Sequence, residues 1–206
     1  MAKIEQLFVT QLYRAELSGA AAARLNDELA GGCKYLATGD VAGKRWCRDN
    51  SYPGYTSYAS LTDIDLRVPA FAGLTRVIDG HVAGFARALD FDLGGRKLVM
   101  DSLWVNVLEP GGHHAAHIHP QSVLSGTYYV AVPPGASALK IEDPRLGMMM
   151  AAPPRRAKAR LANRGFVYVE PRQRTLLLWE SWLRHEVPPN KARGKRISVS
   201  FNYRWG

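Results

Sequence analysis

The chain has 206 residues and a mass of 22.8 kDa; 47% of its residues are apolar and 22% are charged. This balance supplies enough apolar side chains for a folded core and excludes disordered and fibrous proteins. Lysine and arginine outnumber aspartate and glutamate by 27 to 18, which gives a net charge of +9 and raises the question of an anionic partner.

Two helices are predicted in the first half of the chain. Ser18 can cap the run GAAAARLNDELA, which Gly31 and Gly32 are expected to end. Apolar residues then recur every three to four positions over residues 68–89, with Pro69 suited to the first turn. His81 lies inside this second helix and is given no function, because no other metal-binding residue lies at a helical spacing from it.

The second half changes to short runs rich in Val, Leu, Tyr and Trp, separated by Pro and Gly. This sequence pattern is typical of an all-β sandwich or barrel. The predicted strands are 98–108, 115–119, 124–132, 137–141, 165–170, 174–179, 183–187 and 195–203, with a long loop at 142–164. We therefore expect one domain spanning 1–206, mainly β with flanking helices (α+β). It would comprise a helical and mixed part (1–96) and a cupin-like jelly roll (97–206) with two helices packed on one sheet.

Cysteines and basic clusters give weaker signals. Cys33 and Cys47 lack CxxC spacing, so we interpret both as reduced thiols. No apolar run is long enough to span a membrane, and the first residues lack a secretory signal pattern, so we expect no membrane association and a cytoplasmic location. Basic residues cluster at 154–160, 172–174 and 191–196 without interleaved aromatics, which favours solvated loops over a nucleic-acid surface and leaves an anionic partner open. The sequence does not predict the oligomeric state.

Five of the six histidines form the most informative pattern. Four lie within residues 113–119, and His185 lies in a later predicted strand. Side chains alternate along a strand, so His117 and His119 are expected on one face. His185 can complete a three-ligand site on one side of a metal ion, with open positions on the other side. Imidazole suits several metals, so iron and zinc both remain open.

The residues after His185 favour one kind of metal site. Pro188, Pro189 and Asn190 predict a turn, and a hairpin there would bring Arg196 and Ser198 back beside His185. The sequence places no acid beside this guanidinium. A dicarboxylate that chelates the metal and meets Arg196 with its other end would satisfy both groups, as 2-oxoglutarate can.

Several segments together resemble the 2-oxoglutarate- and iron(II)-dependent oxygenases that carry an HxHP…SGxYYV…DPR…H…RISxSFN pattern. The resembling segments are 104–106, 117–120, 125–130, 142–145, 182–185 and 196–202, with a weaker likeness at 7–10 and 54–55. The resemblance implies a double-stranded β-helix, Fe(II) as the metal, and 2-oxoglutarate as the co-substrate. Asn106, Tyr128 and Ser125 are candidate contacts to co-substrate or substrate.

The chain departs from the wider superfamily at one ligand. His119 stands where that superfamily has Asp or Glu, so three neutral imidazoles would bind the metal if all three histidines are ligands. Glu109 and Glu180 are the alternative acids, and neither has the spacing of the motif. Two other functions stay open: a cupin-like dioxygenase or metal-binding protein in which Arg196 binds an anionic substrate directly, and a basic binding module without enzymatic activity. The prime substrate is not predicted.

Overall fold

A computed structural model describes all of residues 1–206 and contains two antiparallel sheets that face each other. The larger sheet has the strand order β1-β8-β5-β10-β3-β2, and the smaller has the order β4-β9-β6-β7. The strands are β1 (Tyr13–Glu16), β2 (Gly54–Thr56), β3 (Leu98–Leu108), β4 (His114–His117), β5 (Leu124–Ala131), β6 (Leu139–Glu142), β7 (Phe166–Val169), β8 (Thr175–Glu180), β9 (His185–Val187) and β10 (Arg196–Trp205). The predicted jelly roll is confirmed.

All eight predicted strands are present, with ends that differ from the prediction by at most two residues. The strands β1 and β2 were missed because runs of four and three residues are too short to show an alternating pattern. The predicted loop contains only two short 3-10 turns, Leu146–Met148 and Leu161–Asn163.

Four helices precede β3, and two of them match the prediction. They are α1 (Gly19–Gly39), α2 (Val41–Asp49), α3 (Ile64–Arg67) and α4 (Pro69–Ala88). The expected end of α1 at Gly31 and Gly32 is wrong. At Gly32 a Cβ atom would lie 3.0 Å from Val68 Cγ1 and 3.1 Å from Phe71 Cε2, so this glycine permits a close helix contact instead of ending the helix.

Strand β10 separates the core from the space between the sheets. Val199, Phe201 and Tyr203 are fully buried in a cluster that includes the apolar stripe of α4. The helices therefore cover the larger sheet, as expected. The alternate residues of β10 point the other way and line a cavity between the sheets: Arg196, Ser198, Ser200 and Asn202.

Gly126 on β5 is required by close packing, and replacing it by alanine is expected to destabilise the fold. A Cβ atom there would overlap the ring of Phe201 and would lie 2.5 Å from the Leu177 carbonyl oxygen. We expect Gly126→Ala to lower the free energy of unfolding by about 3 kcal/mol, the upper part of the usual range for overpacking. Gly147→Ala is the control, since nothing lies within 4 Å of its added methyl group. Equal midpoints of chemical denaturation for the two variants would contradict this packing argument.

No helix has the length and apolar character needed to cross a membrane. Both cysteines are buried and unpaired.

Candidate active site

Three histidines converge where the smaller sheet borders the cavity. His117, the last residue of β4, is paired in register with His185, the first residue of β9. His119 follows two residues after β4, and its backbone N–H donates to the Ser181 carbonyl at 3.0 Å. Each ring offers one nitrogen, and these three atoms lie within 4.8 Å of one another. The structure therefore brings together the three residues that the sequence singled out.

Backbone carbonyls orient two of these rings. Nδ1 of His117 lies 2.6 Å from the Ala115 carbonyl oxygen, and Nδ1 of His185 lies 2.8 Å from that of Leu183. A proton on Nδ1 satisfies each carbonyl and leaves Nε2 with its lone pair free, the tautomer that a metal ligand requires. The ring of His119 stacks on that of His185, with centroids 5.3 Å apart.

Burial also keeps two of the rings, those of His119 and His185, uncharged. It lowers the pKa of His119 to about 4 and that of His185 to about 3. Both rings are therefore neutral near pH 7 and able to donate a lone pair. A set of three imidazole nitrogens on one side of a point fits Fe(II), and by chemistry alone it also fits zinc.

A cavity of about 760 Å³ opens beside the histidines, with Arg196 on its wall. Arg196 is only 2% exposed, and its Nε has no hydrogen-bond partner. Its Nη1 donates to Ser198 Oγ at 3.5 Å, and the guanidinium lies 4.9 Å from the centre of the Tyr129 ring. The hydroxyl of Tyr129 and Nε1 of Trp179 are also buried without a partner. Such unsatisfied donors are costly unless a ligand accepts from them.

The cavity offers no free acid to this guanidinium. Among its lining residues Asp101 is the only carboxylate, and it lies 3.5 Å from Arg204 Nε. Glu109 and Glu180, the alternative acids, do not line the cavity, and Glu109 pairs with Lys195 at 2.7 Å. A ligand carboxylate would therefore be the natural partner of Arg196.

The predicted hairpin between β9 and β10 does not exist, although Arg196 and Ser198 do line the same cavity as His185. Strand β9 belongs to the smaller sheet and β10 to the larger, so the chain crosses between sheets after Val187. Asn190 fixes the crossing, because its side-chain amide donates to the carbonyls of Leu108 and Gly194 and its Oδ1 accepts from the Ala192 N–H. Local turn residues cannot reveal which sheet a strand joins, and this is why the pairing was wrong.

The other predicted contacts divide into three cases. Asn106 lines the cavity; its Oδ1 accepts from Thr56, and its Nδ2 donates to Ser200 at 3.1 Å. Ser125 lies behind the wall and donates to Oδ1 of Asn202, which does line it.

Tyr128 was wrongly proposed as a co-substrate contact. It belongs to the opposite face of β5, where its hydroxyl donates to Asn26 Oδ1 at 3.1 Å among the residues that pack against α1. Its neighbour Tyr129 is the tyrosine that faces Arg196, as strand alternation requires.

Sequence reasoning missed several cavity residues. Nε2 of His114 lies 2.7 Å from the hydroxyl of Tyr52, and both residues line the cavity near Arg196. Trp46, Tyr58 and Trp104 bring aromatic rings to the same cavity. The histidine cluster contained His114, but nothing in the sequence linked it to Tyr52, which lies 62 residues earlier.

Comparison with known proteins identifies the family. The family model described as "Putative 2OG-Fe(II) oxygenase" matches residues 102–202, which carry all three histidines and Arg196. This C-terminal half belongs to the 2OG-Fe(II) oxygenase family. The protein is therefore an oxygenase that uses Fe(II) and 2-oxoglutarate. A search of curated proteins found no match to the sequence.

Solved structures share the fold at low sequence identity. A Pseudomonas putida prolyl-4-hydroxylase is 15% identical over 96% of this chain and 94% of that chain, with a TM-score of 0.59. EctD from S. alaskensis, solved with 2-oxoglutarate and 5-hydroxyectoine, is 16% identical over 95% of this chain and 72% of that chain, with a TM-score of 0.63. A prolyl hydroxylase from Trichoplax adhaerens is 14% identical over 94% and 83% of the two chains, with a TM-score of 0.59.

Proposed function

We propose that His117, His119 and His185 hold Fe(II), and that Arg196 and Ser198 bind the distal carboxylate of 2-oxoglutarate. The observation that carries this assignment is a buried guanidinium without an acid, lining the same cavity as three convergent imidazoles. When bound, Fe(II) and 2-oxoglutarate supply with dioxygen the oxidising chemistry that hydroxylates a C–H bond, while the 2-oxo acid loses carbon dioxide.

The protein's own contribution is to orient the ligands and exclude water. Arg196 can present two parallel N–H groups to a carboxylate, and Ser198 adds a hydroxyl beside them. Trp179, Leu139 and Val187 form an apolar part of the wall. Low polarity there strengthens the interaction between Arg196 and its carboxylate.

The absence of a carboxylate ligand changes the charge of the loaded site. Three imidazoles contribute no charge, so the formal charges of Fe(II), Arg196 and dianionic 2-oxoglutarate leave one positive charge. A carboxylate ligand would leave none. We therefore expect the site to disfavour a cationic prime substrate.

Residues from both halves of the chain form the cavity, and this supports our proposal of one functional domain. Thr56 and Tyr52 come from the first half, and Asn106 and Ser200 from the second. Asn106, Ser200 and Thr127 are linked by hydrogen bonds into a neutral polar row that can meet polar groups of a substrate.

The cellular setting is also a proposal. Two buried, unpaired cysteines are consistent with the reducing environment of the cytoplasm. The cations of the 154–160 loop are exposed and take part in no ion pair, which supports their assignment to a solvated loop.

Anaerobic titration tests the assignment. Protein loaded with Fe(II) is expected to develop the weak visible charge-transfer band of a chelated 2-oxo acid when 2-oxoglutarate is added. Succinate, which lacks the 2-oxo group, is the control and should give no band. Stoichiometric iron without a band at saturating 2-oxoglutarate would instead favour a cupin-like dioxygenase in which Arg196 binds the substrate.

A further inference from the structure

A tyrosine–histidine pair forms part of the cavity wall without a role in the assignment above. Tyr52 lies between α2 and β2, outside the residues matched by the family model, and His114 is the first residue of β4. Their rings are stacked, with centroids 5.8 Å apart, and the tyrosine oxygen lies 2.7 Å from Nε2. Both side chains border the cavity that also contains Arg196 and the three convergent histidines.

The hydrogen bond leaves one polar atom of His114 free. The Tyr52 hydroxyl has no other acceptor in the protein, and when it donates to Nε2 the ring proton lies on Nδ1. No protein atom accepts from that Nδ1–H. Burial lowers the pKa of His114 to about 3, and the nearby Arg196 charge is the second cause; burial also raises the pKa of Tyr52. The pair is therefore neutral and offers a hydrogen-bond donor without adding charge.

The pair is held in place from both sides. The Pro53 carbonyl, next to Tyr52, accepts from the Glu109 N–H, and a Cβ atom on Gly112 would lie 2.6 Å from the same oxygen. The Gly112 carbonyl accepts from the Asn190 N–H at 2.8 Å, in the crossing that leads to Arg196. The turn before His114 is thus tied to the segments that carry Tyr52 and Arg196.

We propose that His114 is a further binding residue for the distal carboxylate of 2-oxoglutarate, with Tyr52 as the positioning residue that sets its tautomer. This inference rests on the proposed function. A carboxylate that receives two hydrogen bonds from Arg196 still has free lone pairs. A neutral donor that lines the same cavity as the guanidinium can use one of them and thereby discriminate between 2-oxo acids with and without a second carboxylate.

Two ligands and three variants test the proposal. The ligands are 2-oxoglutarate and 2-oxopentanoate, which has the same carbon chain without the distal carboxylate. The variants are His114→Leu, His114→Gln, which keeps an N–H donor, and Tyr52→Phe. Dissociation constants come from the anaerobic visible band, and iron affinity is measured separately against a competing chelator.

A second tyrosine–histidine pair supplies matched controls. The Tyr13 hydroxyl lies 2.8 Å from Nδ1 of His81, and neither residue lines the cavity. Tyr13→Phe and His81→Leu therefore remove the same groups away from the site, and both should leave the dissociation constants within about twofold of those of the wild type.

His114→Leu is expected to weaken 2-oxoglutarate binding about tenfold, as for the loss of one hydrogen bond to a charged group, and 2-oxopentanoate binding less than about twofold. Iron affinity should change little. His114→Gln should recover part of the lost 2-oxoglutarate affinity. The 2-oxoglutarate affinity of Tyr52→Phe should lie between those of the wild type and His114→Leu.

Three results would overturn the inference: unchanged 2-oxoglutarate affinity, an equal loss for both ligands, or a parallel loss of iron. If the wild type gives the band and the variants bind 2-oxoglutarate with the same affinity, only the proposed role of His114 is wrong. If the wild type gives no band, the proposed function fails together with this inference.

Discussion

Replacing Arg196 by lysine is expected to weaken 2-oxoglutarate binding at least about tenfold, because one or two charge-assisted hydrogen bonds are lost. Lysine keeps the positive charge but replaces a planar two-pronged donor by a point charge on a flexible stem. Iron affinity should stay within about twofold of the wild type, since Arg196 is not one of the three convergent ligands. Anaerobic titration of the visible band gives the dissociation constant of 2-oxoglutarate, and competition with a chelator gives that of iron.

A comparison of stability separates a binding role from a structural one. Arg196 is a buried cation without a protein acid, so Arg196→Met should make the ligand-free protein no less stable and stabilise it by up to about 1–4 kcal/mol. The same variant should lose the rise in unfolding temperature that 2-oxoglutarate gives to the iron-loaded wild type. Arg172→Lys is the exposed control. Marked destabilisation of ligand-free Arg196→Met would show that the guanidinium serves the fold instead.

The strands and the histidine triad could be predicted because local alternation determines them. Alternation along β10 is a local property of the sequence: Val199 and Phe201 face the helices, whereas Arg196 and Ser198 face the cavity. In the structure Tyr128 is paired with Val199 and lies on the same helix side, which excludes it from the site.

Other parts of the site depend on contacts between distant segments. The contact of Tyr52 with His114 joins residues 62 positions apart, and no local pattern encodes it. The crossing after β9 was mistaken for a hairpin because proline and asparagine end a strand without specifying which sheet the next strand joins. A glycine such as Gly32 often ends a helix, but here the lack of a side chain allows close contact with Val68 and Phe71.

Iron binding after substitution of His119 tests the third ligand, at which this chain departs from the wider superfamily. His119→Ala is expected to lower Fe(II) affinity by more than about 100-fold, beyond the 10–100-fold loss that follows removal of a residue that only orients a ligand. His119→Asp should bind iron much more tightly than His119→Ala, since a carboxylate at this position restores two histidines and one acid. Chelator competition under anaerobic conditions measures both constants.

The aspartate variant distinguishes a ligand from a supporting residue. Its carboxylate contributes a negative charge that cancels the extra positive charge of the three-histidine site, so 2-oxoglutarate should bind it less tightly than it binds the wild type. His81→Ala is the control histidine, because His81 lies outside the cavity and contacts Tyr13. If His119→Ala binds stoichiometric iron with nearly wild-type affinity, the three-histidine assignment is wrong. Glu109 and Glu180 do not line the cavity, so neither is placed to be the third ligand in that case.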